Sequence, residues 1–353
     1  MAVPLSPDDL TTAPATGLLS GKLWRRLGLG VVFAVLVLAG LTLYADAPAL
    51  GQSLVEFPWL WLLPVLALTA LNYGLRFVKW HYYLRLLEVR VRPGLSLAIF
   101  LSGFMMVLTP GKVGELLKSF LLRGAAGTPL TRSAPIVFAE RLSDGLAMVF
   151  LAAIGLLSYP AGWPAVAVVL LVGSAVVIVL QYRRLAEAVF NRLEVVGPLQ
   201  GRVHHLHTLY LSAYTLLRPR PLALAVGLGI VSWGGECLAF YLILLGVGAE
   251  SGWSSLLQAT FILASATIIG AGSMLPGGMG AAEGSILVLL SGTLTPGDAG
   301  AATVLIRFCT LWFGVVLGVL AFFLVARRYV FASSPLLGDS PSPLVERGLG
   351  GEA

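Results

Sequence analysis

The sequence predicts an all-α polytopic membrane protein with about six full transmembrane helices and two oppositely oriented re-entrant hairpins that form an inverted repeat. Three observations lead there. The chain is too apolar to dissolve as a globule, its basic residues alternate from one connection to the next, and a Pro-Gly segment with a distant downstream arginine occurs twice.

With 58% hydrophobic and 11% charged residues over 353 positions and a mean hydropathy of +0.90, there is too little polar surface to cover a soluble globule. Apolar stretches of spanning length lie at about 27–45, 57–78, 133–158, 163–181, 221–247 and 301–326. The formal charge of +6 comes from Lys and Arg that collect on alternate connections. Lys22, Arg25 and Arg26 precede the first span, and Arg76, Lys79, Arg85, Arg90 and Arg92 are assigned to the exit of the second. Lys112, Lys118, Arg123 and Arg132 come before the third, a further group runs from Arg183 to Arg220, and Arg327, Arg328 and Arg347 close the chain. The opposite connections, 46–56, 159–162, 248–256 and 293–300, hold no Lys or Arg. By the positive-inside rule both termini are cytoplasmic, in a cell (plasma) membrane protein, and the basic excess is a topology signal, not a nucleic-acid footprint.

Residues 1–22 read as a disordered cytoplasmic N-terminus, 23–330 as the transmembrane domain and 331–353 as a disordered cytoplasmic tail. Ala45-Asp-Ala47 resembles a signal-peptide cleavage site, but the preceding apolar run is longer than such a region needs, so a retained first helix is expected. Within the domain, repeat 1 covers about 57–158, repeat 2 about 221–326, and 182–220 forms a cytoplasmic amphipathic loop. His204, His205 and His207 in that loop have no Cys, Asp or Glu ligand set beside them, and no metal or other cofactor is expected. Cys237 and Cys309 sit in apolar segments as packing residues. Gly314 and Gly318 form a GxxxG pattern that suits internal helix packing; a homo-oligomer is left open.

The repeated element is Pro110-Gly-Lys-Val-Gly-Glu115 and Pro276-Gly-Gly-Met-Gly-Ala-Ala-Glu283, with Arg141 and Arg307 at the same distance from each proline and Ser119 and Ser285 in register. The pieces 95–109 and 111–122 are each too short to cross at 1.5 Å per residue, so they are expected to enter and return on the cytoplasmic side. The pieces 257–275 and 279–292 are expected to do so from the external side, because only Glu250 and Asp298 flank them. Inverted units with broken helices are how many secondary transporters build a midplane site.

The residue types fit that role. Pro110 and Pro276 stop one helix, while Gly111, Gly114, Gly277, Gly278 and Gly280 permit the turn and leave amides at the start of the next, where an anion is stabilised. Glu115 and Glu283 fall in those first turns, either capping the helix or pairing with Arg141 or Arg307. Glu140, Arg141 and Asp144 lie within five positions of one another; charges at such depth must face the bundle interior and find partners. Glu236 is a further buried carboxylate in the fifth span.

Thr109-Pro-Gly-Lys-Val-Gly-Glu-Leu-Leu-Lys-Ser-Phe-Leu-Leu122, then Ala139-Glu-Arg-Leu-Ser-Asp-Gly-Leu146, then Leu275-Pro-Gly-Gly-Met-Gly-Ala-Ala-Glu-Gly284 resemble the lysylphosphatidylglycerol synthase transmembrane-region family of flippase-like membrane proteins, over about residues 20–330. The resemblance implies a domain similar to the part that moves aminoacylated phosphatidylglycerol between leaflets in bifunctional members. The soluble aminoacyl transferase of those members has no counterpart here, so the expectation is a standalone translocase, not an enzyme. Its partners would be membrane phospholipids, anionic or aminoacylated, with no nucleic acid. The expected substrate-binding set is Arg141, Arg307, Glu115, Glu283, Glu140, Asp144, Ser119 and Ser285 around the two hairpin tips. A small-solute or ion secondary transporter and a non-catalytic scaffold for lipid or envelope synthesis are the alternatives; an intramembrane enzyme would need a nucleophile, metal set or donor site that the sequence does not display.

Overall fold

A computed structural model describes residues 46–109, 116–158 and 211–325, with short helical pieces between 28 and 40 and at 167–168 and 171. The expected fourth span therefore falls largely, and the first in part, outside the described residues, and Pro110, Gly111, Gly114, Glu115 and most of the loop 182–220 lie outside them. All regular structure among the described residues is helical.

Among the described residues ten α-helices can be bounded: α1 Ala47–Glu56, α2 Leu62–Leu86, α3 Pro93–Met105, α4 Leu117–Ala126, α5 Leu130–Gly155, α6 Pro219–Gly246, α7 Trp253–Gly272, α8 Ala281–Leu290, α9 Pro296–Arg307 and α10 Phe313–Val325. Prolines open α1, α3, α6 and α9 within the first two positions, where a missing N–H costs nothing. Gly127, at φ 64°, closes α4 in the left-handed conformation that its missing Cβ allows. A five-residue π-helical segment, Phe308–Trp312, joins α9 to α10.

Among the described residues, four stretches are long and apolar enough to cross a membrane: Trp59–Leu86, Pro219–Gly246, Trp253–Gly272 and Pro296–Val325. α5 has 26 residues but carries Arg132, Glu140, Arg141 and Asp144 along its length. The structure differs from the sequence expectation in three places. The connection 46–56, expected as a loop, is helix α1, tied to α9 where Ser53 Oγ donates to Asp298 Oδ1 at 2.8 Å. The second span runs on to Leu86, so Arg76 and Lys79 lie inside a helix instead of beyond it. The first arm of the second hairpin, α7, has twenty residues and is itself long enough to span.

The packing between the halves is reciprocal. α2 packs on α6, its counterpart in the second repeat. α3, the first arm of hairpin 1, packs on α10, and α7, the first arm of hairpin 2, packs on α5. The first arm of each expected hairpin thus packs on the helix that closes the other expected repeat. Both long contacts are made backbone to backbone at a glycine. A Cβ on Gly155 would sit 2.7 Å from Leu257 O, and one on Gly318 2.9 Å from Leu101 O. One apolar core forms around α3 and α4 from Trp80, Phe100, Leu122 and Ile136, and a second around α7 and α8 from Phe240, Ile262, Ile286 and Ile306. Leu63, Val231, Val288, Val316 and Leu320 point outward and exposed, the face a bilayer would cover.

Gly318→Leu is expected to cost about 1–3 kcal/mol through overpacking, read as a lower Tm of the detergent-solubilised protein. Gly74→Ala, where nothing lies within 4 Å of the added Cβ, should leave Tm unchanged or slightly raised; equal losses in both variants would refute the close contact.

Candidate functional site

The polar residues of this bundle are not scattered; most are gathered where α2, α5, α6 and α9 meet. In α2, Thr69, Asn72, Arg76, Lys79 and Tyr83 recur at three- and four-residue intervals, the spacing of one helix face. That face turns inward. Thr69 and Asn72 are fully buried and Lys79 is 1% exposed. Asn72 Nδ2 donates to Ser232 O at 2.9 Å, which fixes α2 against α6. Tyr73 donates its hydroxyl proton to Thr310 O, a carbonyl of the π-helical segment, where the widened turn disturbs the ordinary i→i−4 ladder.

Three carboxylates in this region have cationic partners on another helix. Lys79 Nζ pairs with Asp144 Oδ1 and also donates to Ser143 Oγ at 3.2 Å. Arg141 and Arg76 approach the other oxygen of Asp144 at 3.4 and 3.9 Å, so three cations share one carboxylate. Lys118, on the return arm of hairpin 1, reaches Glu140 Oε2 at 2.5 Å, and its ammonium lies 4.7 Å from the Trp80 ring centroid. On hairpin 2, Arg307 Nε donates to Glu283 Oε1 at 2.5 Å and its Nη2 donates to Gly277 O at 2.9 Å.

Glu283 resolves the two readings its position allowed, because it does both things at once. Its Oε2 accepts the Gly280 N–H at 2.7 Å, closing the first turn of α8, while Oε1 holds Arg307. The tip itself needs glycine: Gly277, Gly278 and Gly280 have φ of 60°, 67° and 84°, and a Cβ on Gly278 would meet Gly270 O at 2.9 Å.

Arg76, Arg141, Arg307 and Glu236 line a single cavity of ≈ 140 Å³, with Gly277 and Gly278 in its wall. Arg307 also borders a second cavity of ≈ 160 Å³ with mostly apolar walls, among them Val35, Val37, Met279 and Phe308. Above the first cavity, the Arg76 guanidinium is stacked between Phe104 and Trp233, 5.3 and 5.4 Å from their centroids. Among the described residues the cluster carries five cations, Arg76, Lys79, Lys118, Arg141 and Arg307, against four carboxylates, Glu140, Asp144, Glu236 and Glu283. Such a pocket in a low-dielectric bundle attracts an anion.

Of the residues expected from sequence, Arg141 and Arg307 meet at this cavity, with Gly277 and Gly278 beside them. Asp144 and Glu140 lie behind the wall, holding Lys79 and Lys118. Glu283 holds Arg307 from the far side and faces the second cavity. Ser119 is buried in α4 with its hydroxyl unpartnered among the described residues, and Ser285 Oγ donates to Ala281 O within its own helix; neither lines the cavity. Pro276 opens a single 3₁₀ turn at the tip. Pro110, Gly111, Gly114 and Glu115 lie outside the described residues. Sequence reasoning missed Arg76, Lys79 and Lys118 by counting them as topology charges. The polar stripe along α2, at helical spacing through an apolar run, was the signal available.

The family described as "Lysylphosphatidylglycerol synthase TM region" matches residues 29–318 of the chain. Two relatives, each a UPF0104 membrane protein of Methanothermobacter thermautotrophicus, accompany it. One is 35% identical over 92 residues, 26% of this chain and 27% of the relative; the other is 24% identical over 320 residues, 82% of this chain and 93% of the relative.

Removing one member of the Lys118–Glu140 pair strands the other charge in the bundle, at a cost of about 3–5 kcal/mol. Lys118→Met and Glu140→Gln should each lower Tm sharply, and the Lys118→Met/Glu140→Leu double variant should recover most of the loss. Additive losses in the double variant would show that the two side chains do not act as a pair.

Proposed function

The chain belongs to the lysylphosphatidylglycerol synthase transmembrane-region family, and from that premise we propose that it is a lipid translocase, which carries a phospholipid or lipid-linked polar head group between leaflets. The supporting observation is the cavity in which three arginines from three different helices converge beside the tip of a broken helix inside an apolar bundle. A phosphodiester is the anion that suits it. Guanidinium groups match phosphate oxygens in paired hydrogen bonds, and Arg76 and Arg141 can turn from the shared Asp144 to a bound phosphate, since Lys79 stays to neutralise that carboxylate. The second cavity, apolar and contiguous with Arg307, gives acyl chains a way to remain in hydrocarbon while the head group crosses.

The reciprocal packing of the two repeats supports alternating access: a rocking of one unit against the other would open the cavity first to one side and then to the other. In this reading the protein sits in the cell membrane with cytoplasmic termini, acts on phospholipids that are anionic or aminoacylated, and is a carrier, not an enzyme.

The test is exchange of labelled phosphatidylglycerol between leaflets of liposomes containing the purified protein. Arg76→Gln/Arg141→Gln should lower the rate about 10–100-fold, the loss of two charge-assisted hydrogen bonds, at unchanged Tm. Arg307 is unsuited to this purpose because it also holds the hairpin tip. Exchange at the wild-type rate in the double variant would remove the head-group role, and uptake of inorganic phosphate with no lipid exchange would favour a solute carrier.

A further inference from the structure

Glu236 differs from the other acidic residues of the site. It is 5% exposed, it lines the cavity, and it makes no hydrogen bond or ion pair with any described residue, whereas Glu140, Asp144 and Glu283 each hold a cation from another helix. Among the described residues lining the cavity it is the only carboxylate. Each element packed on α6 determines what it faces. α2 presents Tyr73 and Arg76, with Lys79 turned to Asp144; α5 presents Arg141 and, behind it, Asp144; α9 presents Arg307. α7 contributes Leu263, Ala266 and Thr267 and no titratable group to the lining, and on α6 itself Cys237 is adjacent and Trp233 offers an indole N–H that has no acceptor among the described residues.

The polar side chains of this otherwise apolar wall are mostly donors and cations. A metal ion needs several oxygen or nitrogen ligands, and no group of three His, Cys, Asp or Glu exists among the described residues. An ammonium group would meet three guanidiniums. A proton needs no further ligand and adds no volume.

We propose that Glu236 is a proton-binding site linked to the anion site: it is ionised while the arginines face an empty cavity and takes up one proton from water when a phosphate group occupies them. This rests on the anion-binding reading above. The physical link is reciprocal. The arginines stabilise the carboxylate only while their field is not spent on a phosphate, so anion binding favours protonation and protonation favours anion binding by the same factor. A phosphodiester monoanion loaded with one proton crosses as a neutral load, which avoids carrying net charge through hydrocarbon and lets a proton gradient set the direction of lipid movement.

The experiment is titration calorimetry of the full chain in detergent with short-chain phosphatidylglycerol, in two buffers of different protonation enthalpy, across the neutral pH range. For the wild type the expected result is about one proton taken up per lipid bound, with Kd weakening about tenfold per pH unit on the alkaline side. Glu236→Gln should bind with no proton uptake and a flat pH profile, and Glu236→Asp should retain both proton uptake and pH dependence. Wild-type binding with no proton exchange, or unchanged exchange in a folded Glu236→Gln protein, overturns the inference while leaving the anion site intact. Should Glu236→Gln not fold, the wild-type proton count and Glu236→Asp still decide it. Absence of lipid binding by the wild type at any pH removes the anion site and this inference together.

Discussion

Everything polar in this molecule is organised by the cost of placing a charge where there is no water. A charged side chain at the centre of a helix costs about 2.5–3.5 kcal/mol on insertion scales, and this bundle concentrates five cations and four carboxylates in its middle. That is tolerable only if most are matched across helices at short range. Lys118–Glu140 and Arg307–Glu283 are matched in this way, each joining a hairpin's return arm to the helix that closes its repeat. The return arms are short, ten residues in α4 and ten in α8, and could not be held at depth by propensity alone. Their position depends on these pairs and on the glycine contacts made by their longer first arms.

The matched pairs also define what remains for chemistry. Once Lys118, Lys79 and Glu283 have engaged Glu140, Asp144 and Arg307, the cavity retains the outward faces of three guanidiniums and one carboxylate. Removal of the pairs would leave a charged void; removal of the cavity groups would leave a well-packed apolar bundle without a site. Arg76 and Glu236 belong to the cavity and to neither clasp, whereas Arg307 belongs to both, so structure and site can be separated by mutation at the first two and not at the third.

How much of this was legible in the sequence depended on the kind of signal. The span 219–246 was read to within two residues, because an unbroken apolar run has one reading in hydrocarbon. The break at Pro276 was legible because Pro-Gly-Gly cannot continue a helix. Helix α1 was hidden because Pro48 and Gly51 look like turn residues, and its helical state is supported by packing on α9 that no local pattern announces. Arg76 and Lys79 were assigned to a loop because charge counting by sequence position ignores which face of a helix a residue occupies. Ser119 and Ser285 show the converse: their register relative to the prolines matches, yet neither hydroxyl lines the cavity, since equal sequence offset does not bring a side chain to a common space.

The two hairpin clasps have opposite polarity. In the first repeat the lysine is on the return arm and the glutamate on the closing helix; in the second the glutamate is on the arm and the arginine on the helix. If the two return arms were exchanged, each would dock on the helix of the other clasp. In that arrangement Lys118 would confront Arg307 and Glu283 would confront Glu140, like against like in a medium that screens neither. The reversal thus makes the observed pairing of arms and helices the one in which both clasps are neutralised.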